Sequence, residues 1–338
     1  MDRLKAQEKF KIIQEITDLT GSFMPAQIVL TANRLELFST LAGKKLSAEE
    51  LAETLETEPR ATGLLCNALT ALGFLVKENN TFNNSPKGEE FLVQGRSYYI
   101  GDNLRHQATL WQRWSQLTEV IKTGRPLPKQ DVSDDQNKQQ TREFTLAMAN
   151  IGQLSARKVV EGLDMRGVKK IIDIGGGPGT YAMEMVKQNP AIQAIVFDQL
   201  DVVLIAEERI RQNGLSQQVA TIAGDCFADD FGSGYDLAFL SNFIHIFGLE
   251  EIVILFKKVW SSLNTGGRMA IKDFFVNEDR SGPVFATQFA LNMLLNTEKG
   301  NTYSFSEIQR AFDDAGFQWL NSFDVGQHST VIVGEKIE

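Results

Sequence analysis

Ile171-Ile172-Asp173-Ile174-Gly175-Gly176-Gly177-Pro178-Gly179-Thr180 is the stretch on which the fold turns. An apolar, β-branched run leads into glycines, and residues 181–188 then carry helical length and period, so the stretch reads as strand, tight loop, helix. Glycines in such a loop let the backbone approach a ligand closely while the loop amides face it. The dinucleotide fingerprint asks for Gly or Ala three residues after its second glycine. Counted from Gly175 and Gly177, that position is Thr180, which disfavours a nicotinamide oxidoreductase.

Working downstream, short apolar runs at 170–174, 192–197, 220–222, 237–240, 269–271 and 330–333 alternate with helical segments at 181–188, 203–213 and 250–263. That alternation predicts an α/β domain over 151–338, doubly wound and Rossmann-like, with its ligand at the carboxyl ends of mostly parallel strands. Upstream the chain reads helical. Ile28, Val29, Leu30, Leu35, Leu37 and Phe38 recur at helical spacing, and Ser47 with Glu50 forms an N-cap signature for a helix ending at Leu55. A third helix, 60–72, shows a stripe of Leu64, Leu65, Ala68, Leu69 and Leu72 closed by Gly73, and a hairpin turns at Asn79-Asn80.

Three helices and a hairpin make a winged-helix-like domain over 1–97, whose default reading is DNA binding through the third helix. Charge argues otherwise. Residues 46–90 hold three basic residues against eight acidic ones, so protein packing is the favoured use and a regulator that binds DNA the rival. Residues 98–150 are expected to be a helical link bordering the ligand pocket. The stretch 97–123 is amphipathic, 126–141 reads as an exposed polar linker, and a helix over 144–163 leads into the second domain.

Composition sets the outer bounds. The 338 residues are 43% hydrophobic, with 34 Lys and Arg against 43 Asp and Glu, a net charge of −9 that repels phosphate-rich surfaces. Two distant cysteines, Cys66 and Cys226, support neither a disulfide framework nor a metal cluster and suit a reducing setting. No secretory signal or membrane-length apolar run is visible, so a soluble cytoplasmic protein without nucleic-acid or membrane partners is expected.

An acid two residues before Gly-x-Gly-x-Gly resembles motif I of class I methyltransferases that use S-adenosylmethionine (SAM). Asp198, closing the second strand, suits the ribose hydroxyls. Asp225, after the third, suits the adenine amino group, with Cys226 and Phe227 packing on the ring. The resemblance thus assigns cofactor binding to Asp173, Gly175, Gly176, Gly177, Asp198, Asp225, Cys226 and Phe227, with SAM as cofactor, S-adenosylhomocysteine as product and no metal.

Leu240-Ser241-Asn242-Phe243-Ile244-His245 ends the fourth strand, where an acceptor must meet the methyl group, and imidazole suits a general base there. With the winged-helix-like domain, this segment makes nearly the whole chain similar to the O-methyltransferase family of plant caffeate and flavonoid enzymes and acetylserotonin O-methyltransferase. That resemblance implies a homodimer formed by the N-terminal domain. It also implies a catalytic pair, His245 and Asp273, and an acceptor pocket lined by Phe144, Met148, Phe285, Phe289 and Met293, with Met148 also reaching the cofactor. Ser241 stands at the family's cofactor-binding lysine position, Ile246 replaces an aspartate of plant members, and Phe305 falls near a further family glutamate. O-methylation of a phenolic or enolic hydroxyl on a small, largely apolar acceptor is the expectation; C-methylation of a tetrapyrrole or other pigment is one alternative, and a non-catalytic, SAM-sensing winged-helix regulator is the alternative from a different class.

Overall fold

The structure is a computed structural model and describes residues 6–128 and 133–337. The chain forms two compact units, 1–109 and 110–338. Among the described residues no helix is long and apolar enough to cross a membrane.

The first unit begins with helices α1 (Ala6–Gly21), α2 (Phe23–Arg34) and α3 (Leu37–Thr40). Strand β1 (Leu46–Ser47) leads into α4 (Ala48–Leu55), and α5 (Pro59–Ala71) precedes the hairpin β2 (Leu75–Glu78) and β3 (Thr81–Asn84). Helices α6 (Pro86–Leu92) and α7 (Gly101–Trp114) follow. Local chemistry explains the boundaries. Ser47 and Glu50 exchange side-chain-to-backbone bonds in a capping box at the start of α4. Asn79 and Asn80, at φ 49° and 80°, take the left-handed pair that a two-residue hairpin turn demands and asparagine tolerates. The apolar stripe expected on α5 is corrected in one place: Thr62, Cys66 and Leu69 face the core, and Leu64 lies on the opposite, solvent side.

The second unit continues with α8 (Leu117–Thr123), α9 (Asp134–Gln153) and α10 (Ala156–Gly162). Here the expected linker and helix are both corrected. Residues 129–132 lie outside those described, but Ser133 caps α9 through a capping box with Gln136, so the part of the polar run from 134 onward is the exposed start of a helix. That helix ends at Gln153, and a separate α10 follows.

From there the chain alternates as β4 (Lys170–Ile174), α11 (Thr180–Gln188), β5 (Gln193–Asp198), α12 (Leu200–Gln212), β6 (Val219–Ala223), β7 (Tyr235–Ser241), α13 (Leu249–Ser262) and β8 (Leu263–Asp273). The remainder comprises β9 (Phe275–Val276), α14 (Val284–Asn296), β10 (Tyr303–Ser304), α15 (Phe305–Ala315), β11 (Phe317–Gly326) and β12 (Ser329–Lys336). Seven strands form one sheet in the order β11-β12-β8-β7-β4-β5-β6. β4 pairs in parallel with both β5 and β7, so the winding direction reverses there and opens a crevice at the carboxyl ends of β4 and β7. β12 runs antiparallel to β8 and β11. β11 had no apolar run to announce it, because it is an irregular edge strand with half of its residues exposed.

Alternation along the strands divides the core. Ile171, Phe239 and Ala270 pack under α10, α11 and α12, whereas Ile172, Leu240 and Ile271 pack under α13 and α15. The same parity decides on which face each residue at a strand's carboxyl end presents its chemistry.

Candidate active site

Beyond β4 the backbone passes through Gly175, Gly177 and Gly179 at φ 64°, 52° and 72°. A Cβ at Gly175 would also collide with the Phe243 ring, so glycine is required twice over. The Gly175 amide donates to the Phe197 carbonyl (2.8 Å), and the Gly177 amide donates to Asp198 Oδ2 (2.8 Å). Asp198 Oδ1 accepts from the Gln199 amide, and burial raises its carboxyl against those two bonds. The loop, β4 and β5 therefore form one hydrogen-bonded cradle.

Asp173 is wholly buried, and neither of its oxygens has a hydrogen-bond partner. Burial pushes its carboxyl up to about 7; the Ala182 amide, outside bonding geometry, opposes this and Asp198 reinforces it. The Ser241 and Thr180 hydroxyl oxygens are likewise buried and unpartnered. Past β6, Asp225 Oδ1 accepts from the Phe227 and Ala228 amides (2.7 and 3.0 Å), bonds that hold its carboxyl below the usual range and make it the former of this turn. Burial pushes the Cys226 thiol up to about 11. Phe227 meets Phe247 edge-on at 5.0 Å, and Phe247 meets Phe243 at 5.1 Å, a row of rings reaching from this turn to the glycine loop.

β7 ends one strand away. Asn242 takes a left-handed φ of 51°, and a single 3-10 turn, Ile244–Ile246, carries His245. Its Nδ1 lies 2.7 Å from Oδ1 of Asp273 at the end of β8, with both side chains buried. Asp273 Oδ1 also accepts from the Phe274 amide. A carboxylate bonded at Nδ1 fixes the proton there and leaves Nε2 as the basic nitrogen. The Asn301 amide donates to the His245 carbonyl, anchoring the backbone of the turn.

Aromatic rings enclose this pair. Phe289 on α14 meets the His245 ring edge-on at 4.8 Å, Phe274 packs 4.7 Å from Phe289, and Phe285 lies one turn earlier on α14. His328, at the β11–β12 turn, stacks on Phe285 at 4.6 Å. Met293 is buried further along α14, while on α9 Phe144 is half exposed and Met148 partly buried. Sequence reasoning missed Phe243, Phe247, Phe274 and Lys272. A lysine inside the apolar run Met269-Ala270-Ile271-Lys272 was the available signal for the last.

With this geometry in place, comparison with known proteins is decisive. The family profile described as O-methyltransferase domain matches residues 114–318, and the O-methyltransferase dimerisation domain matches 17–94. The chain belongs to the O-methyltransferase family of SAM-dependent methyltransferases. Across 89% of its length this methyltransferase is 30% identical to 3-hydroxy-5-methyl-1-naphthoate 3-O-methyltransferase of Streptomyces sahachiroi, covering 88% of that protein. It is 29% identical to the tetracenomycin polyketide synthesis 8-O-methyl transferase of Streptomyces glaucescens, over 95% of this chain and 96% of that one. Its fold matches human N-acetylserotonin methyltransferase in complex with SAM at a TM-score of 0.88, with 21% identity and 100% of both chains covered. The residues present fit that cofactor. A buried unpartnered carboxylate and two buried unpartnered hydroxyls beside a glycine cradle are what a site for a polar cation leaves unsatisfied.

Proposed function

We propose that this enzyme transfers the methyl group of SAM to a phenolic or enolic hydroxyl of a small, largely apolar acceptor, with His245 as general base. The buried 2.7 Å contact between His245 and Asp273, one strand from the glycine cradle, carries the reading. When bound, SAM supplies an electrophilic methyl group on a sulfonium.

Every other part falls to the chain. Asp173 would take the cationic amino group, the loop Gly175, Gly176 and Gly177 would let the cofactor approach, and Asp198 would accept from the ribose. Asp225, Cys226 and Phe227 would border the adenine, with Ser241 and Met148 completing the site. Phe144, Met148, Phe285, Phe289 and Met293 would line the acceptor pocket and keep water from it. His245 Nε2 removes the hydroxyl proton as the oxygen attacks, while Asp273 holds the ring and stabilises the imidazolium. Alignment in a dry site is worth about 7–11 kcal/mol, and a positioned base contributes roughly 100- to 10,000-fold. The naphthoate enzyme, a relative acting on an aromatic hydroxyl, supports the acceptor class.

Dimerisation through the first unit belongs to the same proposal. Phe10, Ile13, Ile16 and Leu19 stand exposed on α1, an apolar row that a second copy would cover. The test of mechanism is His245→Ala. Turnover with a naphthol is expected to fall at least 100-fold while S-adenosylhomocysteine binds as before; unchanged turnover removes His245 from the base role.

A further inference from the structure

Lys272 is about 1% exposed, on β8 immediately before Asp273. A lysine is almost never buried so completely without a carboxylate partner, because its ammonium loses hydration worth several kcal/mol. Among the described residues none lies within ion-pair distance. Its Nζ donates instead to two neutral oxygens, Asn242 Oδ1 (3.2 Å) and Ser329 Oγ (3.1 Å), which leaves one of three N–H bonds without an acceptor. The Asn242 that it grips takes a left-handed φ of 51°, a conformation asparagine tolerates.

Its surroundings narrow the occupant. Lys272 is in register with Ser241 on the adjacent parallel strand, and the Ser241 hydroxyl is buried and unpartnered. By strand parity both sit on the face of Ile171, Phe239 and Ala270, the face that also carries Asp173 on β4. Lys272 Nζ lies 5.9 Å from the ring centre of Tyr181, directly after Thr180, whose hydroxyl is another buried group without a partner. Three neighbouring strands thus present a buried acid and a buried hydroxyl without hydrogen-bond partners and an ammonium that has only neutral oxygens and the Tyr181 and Phe274 rings for company, with no carboxylate in ion-pair reach among the described residues. That pattern is complementary to an α-amino acid zwitterion.

Building on the cofactor reading above, we propose that Lys272 and Ser241 form a carboxylate subsite, filled by the α-carboxylate of the methionyl end of SAM, whose ammonium faces Asp173. Lys272 is then a binding residue that supplies the positive charge facing that carboxylate, beside the Ser241 hydroxyl.

The experiment compares two ligands that differ in this end alone. S-adenosylhomocysteine carries the amino acid; 5′-methylthioadenosine keeps the nucleoside thioether and lacks it. Calorimetric titration of Lys272→Met is expected to show S-adenosylhomocysteine bound about 10- to 100-fold more weakly, as loss of a charge-assisted bond requires, with methylthioadenosine within twofold of the wild type. Ser241→Ala, a smaller change, is expected to follow the same selectivity at roughly 3- to 10-fold. Equal losses for both ligands would reduce Lys272 to a strut between Asn242 and Ser329 and overturn the proposal, as would no loss for either. If S-adenosylhomocysteine binding holds but KM rises for 3-hydroxy-2-naphthoate and not for 2-naphthol, the carboxylate subsite stands and its cofactor assignment falls. Wild-type protein that binds neither nucleoside overturns the cofactor reading itself.

Discussion

At the scale of single residues, Asp173 shows how a binding site is built at the expense of the apo fold. Its carboxyl titrates near 3.8 in an unfolded chain and near 7 when buried here, so the folded state holds an extra proton between those values. Stability therefore falls as pH rises from about 4 to about 7 and stays lower above. Asp173→Asn removes the buried charge. Above pH 7 the apo variant is expected to be more stable by on the order of 1–3 kcal/mol in thermal unfolding. Its S-adenosylhomocysteine affinity is expected to drop at least tenfold, and the wild type's affinity to climb as pH rises through 7. A variant that is less stable at pH 8 and still binds tightly would contradict this role. Asp173 and His245 could be singled out in the sequence because one precedes the glycine loop and the other follows the apolar run of β7, where an acid or imidazole has no packing reason to be, whereas Asp273 came from the family resemblance. Lys272 was not, since only strand register reveals that its ammonium stands beside Ser241 and lacks an acid.

Among elements, the strand-loop-helix of β4, its glycines and α11 dominates. Gly175 combines a φ of 64° with the Phe243 ring where a side chain would be. Gly175→Ala must therefore both strain the turn and displace the aromatic row above the cradle. Loss of measurable S-adenosylhomocysteine binding is expected, with a lowered unfolding temperature; an alanine variant that binds normally would show that the cradle tolerates a shifted backbone. The alternating helices and strands around this turn were readable because buried parallel strands carry continuous apolar runs. The same logic explains the failures. α9 begins in Asp134-Asp135-Gln136, a polar first turn whose only cue is the Ser133 cap, and β11 alternates too irregularly to announce an edge strand.

For the whole molecule, a net charge of −9 and an acidic winged-helix-like unit fit assembly with a second copy better than a nucleic acid partner. The exposed row on α1 gives that unit an apolar surface that a second copy can bury. α1 escaped sequence reading because Phe10, Ile13, Ile16 and Leu19, spaced by threes among charged residues, wind halfway round the helix and mark no single face. What the second unit binds separates the two uses of a glycine-loop sheet. The most direct measurement is calorimetric titration of the intact protein with SAM and S-adenosylhomocysteine, followed by NAD in the same preparation. Micromolar binding of the first two and none of NAD is the predicted result. Absence of SAM binding, or binding of NAD in its place, would contradict the account.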